Sequence, residues 1–193
     1  VREYAESRGV QVIAPIDEYT LADLPILLRE VSGSIGARQG KVVLDVGGDD
    51  LGARVLGGFS DVLRTNDTAV LQVINERRPF TDSIAGARRM YEELEAASRL
   101  RITGLVANAH LITETTIEVI RKGIEFARSM EREVGVPLEF VAVEQRLLCL
   151  VDADALGCPI LPIERLMTAP WERSTRRGLI GRPPPTKLPP SVK

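Results

Sequence analysis

Apolar residues come in two rhythms along this chain. Short, nearly continuous apolar runs at 10–14, 42–46, 69–74, 102–107 and 138–143 alternate with longer segments whose apolar positions recur every three or four residues. The first rhythm is that of strands buried in a parallel sheet, and the second that of helices packed on it. A polar helix is expected at 4–8, ended by Gly9. Another is expected at 21–31, with apolar residues at 21, 24, 27, 28 and 31, Thr20 or Asp23 as cap and Pro25 in the first turn. Further helices are expected from 51 to about 63, at 82–100 and at 115–134. In the last of these Ile117, Ile120, Ile124, Ala127 and Met130 share a face, Thr115 and Glu118 form a capping box, and Gly135 with Pro137 supplies the stop.

Parallel strands cannot be joined by a tight turn, so each crossover needs a connecting helix. The alternation therefore predicts an α/β fold with an open, mainly parallel sheet and helices on both faces. The chain opens partway through a helix–strand unit. Residues 1–172 read as one α/β domain, and residues 173–193, with Pro183, Pro184, Pro185, Pro189 and Pro190, as an extended or disordered tail.

Composition narrows the class. A chain of 193 residues fits a single domain. No apolar run approaches the roughly 18 residues that span a bilayer, and no basic segment followed by an apolar stretch marks secretion, so the cytoplasm is the expected location. A net charge of −2 with mixed signs gives no field to draw nucleic acid or anionic lipid. Cys149 and Cys158 are too few for a disulfide framework and read as ordinary reduced thiols. The first residue is Val1 and the methionines stand at 90, 130 and 167, so a fragment or processed chain is expected.

Candidate chemistry lies where strands end, because ligands of open parallel sheets gather outside the carboxyl ends. The run Lys41-Val-Val-Leu-Asp-Val-Gly-Gly-Asp-Asp50 stops on Asp45 and turns through two glycines. Asp45 is placed to hold a water of a magnesium ion, which usually takes only one or two protein carboxylates. Gly48 offers a bare backbone N–H to a terminal phosphate. The simpler account is that Asp45 caps the next helix and the glycines make a turn. Asp49 and Asp50 would repel a lone pyrophosphate, but either can join a metal shell. No Gly-x-x-x-x-Gly-Lys-Ser/Thr loop is present, since Gly40-Lys41 continues into Val42, and Gly47, Gly48 and Gly52 do not meet the dinucleotide pattern.

Asn108 ends the fourth run, and its carboxamide matches the N7 and N6 edge of adenine; a turn asparagine is the bland alternative. His110 is the single histidine and reads as a loop residue. Arg77 and Arg78, before Thr81-Asp-Ser83 and a helix start, can receive an anion or acidic partner, against simple capping by Thr81 or Asp82. Glu144, Gln145 and Arg146 follow the fifth run without diagnostic spacing.

Taken together, Val42-Val-Leu-Asp-Val-Gly-Gly48, the strand from Ala69 to Asn75 with its helix, and Gly104-Leu-Val-Ala-Asn108 resemble the MinD/ParA/CobQ-type P-loop ATPases over roughly residues 1 to 165. The resemblance implies a dimerising fold that binds ATP and Mg²⁺. Asp45 would match the aspartate of the second switch, Gly48 its phosphate-sensing glycine, and Asn108 the adenine contact. The family's lysine-rich phosphate loop, its first strand and its first-switch aspartate find no counterpart here, and Val143-Glu144 stands where the family often has a proline. The expectation is the carboxyl-terminal part of an ATPase domain, inactive in hydrolysis by itself. The competing expectation is a non-catalytic α/β interaction module that docks a protein partner.

Overall fold

The apolar runs beyond residue 70 become the sheet. A computed structural model describes residues 2–14, 29–37, 40–152 and 156–166. Its helices are α1 (Arg2–Glu6), α2 (Arg29–Gly36), α3 (Asp50–Gly57), α4 (Ser60–Arg64), α5 (Ile84–Ser98) and α6 (Ile117–Val134). Its strands, β1 (Leu71–Ile74), β2 (Gly104–Ala107), β3 (Leu138–Glu144) and β4 (Ile160–Ile163), form one sheet in the order β1-β2-β3-β4, with every pairing parallel. The class is α/β, as the alternation predicts. Among the described residues no helix is long and apolar enough to cross a membrane.

Pairing of Gln72 with Leu105 and Ile74 with Ala107 puts these four side chains on one side of the sheet. There Ile74, Leu105, Ala107, Val141 and Val143 meet Ala87 and Tyr91 of α5 and Ile120, Ile124, Ala127 and Met130 of α6 in one buried cluster. Leu105 and Met130 are fully enclosed, and burying each is worth about 2–3 kcal/mol. The opposite side has Val106 and Ala142 buried at its centre and Leu71, Val73 and Leu161 exposed toward its flanks. A second cluster, Ile35, Phe59, Leu63 and Leu100, ties α2 and α4 to the start of β2, and Val70 packs against both clusters.

Several boundaries move for physical reasons. Residues 10–14 and 42–46, expected as strands, carry no regular structure and pair with no described segment. The helix expected over 51–63 breaks at Gly58-Phe59 into α3 and α4. Ser83, rather than Thr81 or Asp82, caps α5 by accepting from the Gly86 N–H. Thr116, rather than Thr115, caps α6, and Thr115 is buried, accepting from the Leu111 N–H. Gly135 ends α6 in the left-handed region at φ 70°. β4 escapes a pattern reading because Pro162 lies in it, a residue strands tolerate at edges. Most of the helix expected at 21–31 and all of the tail at 173–193 lie outside the described residues.

Two carboxylates stitch helix ends to the next strand. Glu95 of α5 accepts from the Ile102 N–H at 2.8 Å and pairs with Arg101 at 3.0 Å. Glu131 of α6 accepts from the Leu138 N–H at 2.9 Å and from Arg128 at 2.8 Å, and these contacts, the Arg128 bond first, hold its carboxyl below the usual range. A depressed carboxylate contributes stability that is fully present above its unfolded pKa, near 4.3, and lost as pH falls through the folded value. Glu131→Gln is therefore expected to cost about 1 kcal/mol at neutral pH. Urea denaturation of both proteins should show the gap closing as pH is lowered below about 4.

Candidate functional site

The stretch from Asp45 to Asp50 is a turn built to start α3. Asp49 is the N-cap, with extended backbone at φ −122° and ψ 172°, and its Oδ1 accepts from the Gly52 N–H at 2.8 Å. Asp50 pairs with Arg54 one turn on, at 2.8 Å. Both acids offered for a metal shell thus have structural work. Asp45 does not cap the helix, and its exposed carboxylate has no hydrogen bond or ion pair with a described residue. The two flanking glycines also divide. A Cβ on Gly52 would drive into the backbone of Gly47, so the turn closes only with glycine there. A Cβ on exposed Gly48 would meet nothing within 4 Å, so the fold itself does not require glycine at 48.

The carboxyl ends of the strands carry the other candidates. The Asn108 N–H donates to the Ile74 carbonyl, which holds the residue beside the end of β1. Its half-buried carboxamide has no partner among the described residues. Neighbouring polar groups are occupied. Asn75 accepts from the Arg77 N–H at 3.0 Å and donates to the His110 carbonyl at 3.4 Å. Arg146 pairs with Glu144 at 2.8 Å and donates to the Thr115 carbonyl at 2.9 Å.

The loop between β1 and α5 projects outward. Arg77 pairs with Glu76 at 3.0 Å, whereas exposed Arg78 has no side-chain partner among the described residues. Phe80 sits in the left-handed region at φ 70° with 80% of its surface exposed. Thr81 fixes it, donating from Oγ1 to the Asn75 carbonyl at 3.0 Å. Backbone strain of this kind persists only where surrounding bonds over-determine it.

A cleft of about 700 Å³ lies at the other end of the strands, lined by Arg64, Thr68, Val70, Glu95, Arg99 and Thr103 among others. Its guanidiniums are engaged: Arg64 donates to the Arg99 carbonyl, Arg99 to the Gly57 carbonyl at 2.5 Å, and Arg101 pairs with Glu95. The cleft is a clasp joining α3 and α4 to the end of α5. Asp45, Gly48 and Asn108 do not line it. Among the described residues no group of three or more histidine, cysteine or acidic side chains is gathered as a metal site.

No protein-family model matches the chain, and no curated protein or solved structure is significantly similar to it. Gly48→Ala is expected to leave stability within about 1 kcal/mol of wild type, while Gly52→Ala lowers it by about 1–3 kcal/mol through the clash with Gly47. Paired urea melts at neutral pH measure the difference.

Proposed function

We propose that this chain is the carboxyl-terminal portion of an ATP-binding ATPase domain of MinD/ParA/CobQ type, whose phosphate loop comes from polypeptide preceding these residues. The observation that carries the reading is that the Asp45 carboxylate and the Asn108 carboxamide have no partner among the described residues, and that Gly48 has room for a Cβ the sequence does not use. Helix direction supports a common rim. α3 meets α5 at their carboxyl ends, where Arg99 reaches the Gly57 carbonyl, and the two pack along each other. The amino end of α3, with Gly48 and Asp49, then faces the way the strands run, toward the side of Asn108.

On this reading Asn108 pairs with the N6 and N7 edge of adenine, and Gly48 donates its N–H to the terminal phosphate. Magnesium, when bound, would neutralise charge on the phosphates, and Asp45 would hold it through one of its waters. One free carboxylate fits an ion that keeps most of its hydration shell. Self-association and a cytoplasmic location belong to the same proposal. Calorimetry with Mg²⁺-ATP on a polypeptide extended upstream should give a binding isotherm, weakened about 10-fold or more by Asn108→Ala. An isotherm unchanged in that variant, or no heat at all, would remove the nucleotide reading.

A second reading, a non-catalytic interaction module, is favoured by the exposure of the apolar side chains of Leu71, Val73 and Phe80. It predicts no rise in melting temperature when ATP and magnesium are added to the extended polypeptide. The nucleotide reading predicts a rise, through the stabilisation that any ligand of the folded state confers.

A further inference from the structure

We propose that the cleft at the amino ends of the strands is a binding site for a small hydroxylated organic phosphate, whose phosphate group is taken by the guanidiniums of Arg64 and Arg99. This goes beyond the nucleotide reading and does not rest on it, since Asp45, Gly48 and Asn108 lie outside the lining of the cleft. The volume of about 700 Å³ falls within the roughly 300–1,000 Å³ of small-molecule sites. The walls are the end of α4, the last turns of α5 and the segments that lead into β1 and β2.

Positive charge gathers there, and the acids beside it are already paired. Arg64, Arg99 and Arg101 line the cleft together with Glu92 and Glu95. Glu92 pairs with Arg88 and Glu95 with Arg101, each at 3.0 Å. Arg64 and Arg99 are bonded to neutral groups instead: Arg64 donates to the Arg99 carbonyl, and Arg99 to the Gly57 carbonyl at 2.5 Å. A carbonyl orients a guanidinium without cancelling its charge. A guanidinium has five N–H donors in one plane, so these bonds leave donors for an oxyanion. A phosphate ester carries a charge of about −1.5 to −2 near neutral pH, which matches two uncompensated cations.

The frame that holds the two arginines is set by the fold. Leu63 precedes Arg64 and Leu100 follows Arg99, and both leucines are buried in the cluster around Phe59. Each cation therefore stands one residue from a packed side chain, and little is left to order when a ligand arrives. Arg99 also closes α5 in the left-handed region, at φ 57° and ψ 22°. Glycine is the usual choice at such helix ends, and a side chain there carries a conformational cost. Arginine at this position delivers a cation to the cleft that glycine cannot. Gly57, which receives it, is fixed as well, since a Cβ there would come within 2.8 Å of the Ala97 carbonyl. Thr68 and Thr103 donate their hydroxyl protons to the Leu63 and Val70 carbonyls, so they meet a ligand as acceptors. Acceptors beside a cationic pair suit the hydroxyls of a sugar phosphate.

Calorimetric titration of the whole chain with ribose 5-phosphate at low salt and neutral pH should give a saturable isotherm with a Kd of about 1 mM or tighter, and ribose should give none. Arg64→Gln and Arg99→Gln should each raise that Kd by about 10-fold or more. Arg54→Gln, the same loss of charge outside the cleft, should leave it within about twofold. Because Arg99→Gln also removes a bond to Gly57, wild-type NMR supplies a reading free of any variant. The side-chain Nε–H signals of Arg64 and Arg99 should move along one saturation curve with ribose 5-phosphate, while the amides of Gly48 and Asn108 stay in place. No binding heat, ribose binding as tightly as its phosphate, Arg54→Gln as damaging as Arg64→Gln, or shifts at Gly48 and Asn108 in place of the two arginines would each overturn the proposal.

Discussion

A strand in a parallel sheet has two hydrogen-bonding edges and two faces, and the molecule is organised by how each of these is satisfied. β2 meets the demand fully. It is flanked by β1 and β3, packed on by α6, and buried at every position from Gly104 to Ala107. That enclosure fixes where the strand ends and therefore where Asn108 emerges. β1, by contrast, alternates exposed and buried along Leu71–Ile74, because one of its edges and one of its faces remain open among the described residues. The same requirement explains residues 42–46. Their apolar run is fit for a strand, but a strand forms only where a neighbour supplies the other half of the ladder.

The two ends of the sheet are used differently. At the amino ends, arginines are spent on main-chain carbonyls and on Glu95, so the helix layer is locked to the strands by charge-assisted bonds. At the carboxyl ends, loops are held by short local bonds around Asn75, Thr81 and Thr115, leaving side chains such as Asn108 and Arg78 without partners among the described residues. A rigid end opposite an end with idle polar groups is the arrangement through which a scaffold presents chemistry. The large cleft at the locked end is occupied in part by these bonds, and none of Asp45, Gly48 and Asn108 lines it.

Much of the fold was legible because burial writes itself into composition. The continuous runs at 69–74, 102–107 and 138–143 became β1, β2 and β3, and the face from Ile117 to Met130 packs as its spacing requires. The misses share a cause: they depend on partners rather than on local residues. Whether 42–46 pairs is decided by a neighbouring strand, and β4 is a strand because Val141 to Glu144 pull Pro162 and its neighbours into register. Caps slid by one or two residues, from Thr115 to Thr116 and from Thr81 or Asp82 to Ser83, since several adjacent side chains could have served. At the candidate site the bland reading of Asp45 as a helix cap failed, because Asp49 does that work. Only coordinates separate Gly52, which the turn demands, from Gly48, which it does not.

Residues 42–48 are where the open sheet and the candidate chemistry meet. They make no ladder bond with a described residue, and on the proposed reading the Asp45 carboxylate would lose freedom when it takes up a ligand. Pairing of 42–46 along any strand edge would fix the backbone on both sides of Asp45 and present the Gly48 N–H in one direction, removing that entropy before a ligand arrives. Pairing and ligand binding at this segment would then each favour the other, by the reciprocity of linked equilibria. The unsatisfied edge and the idle carboxylate are on this view consequences of one missing ladder.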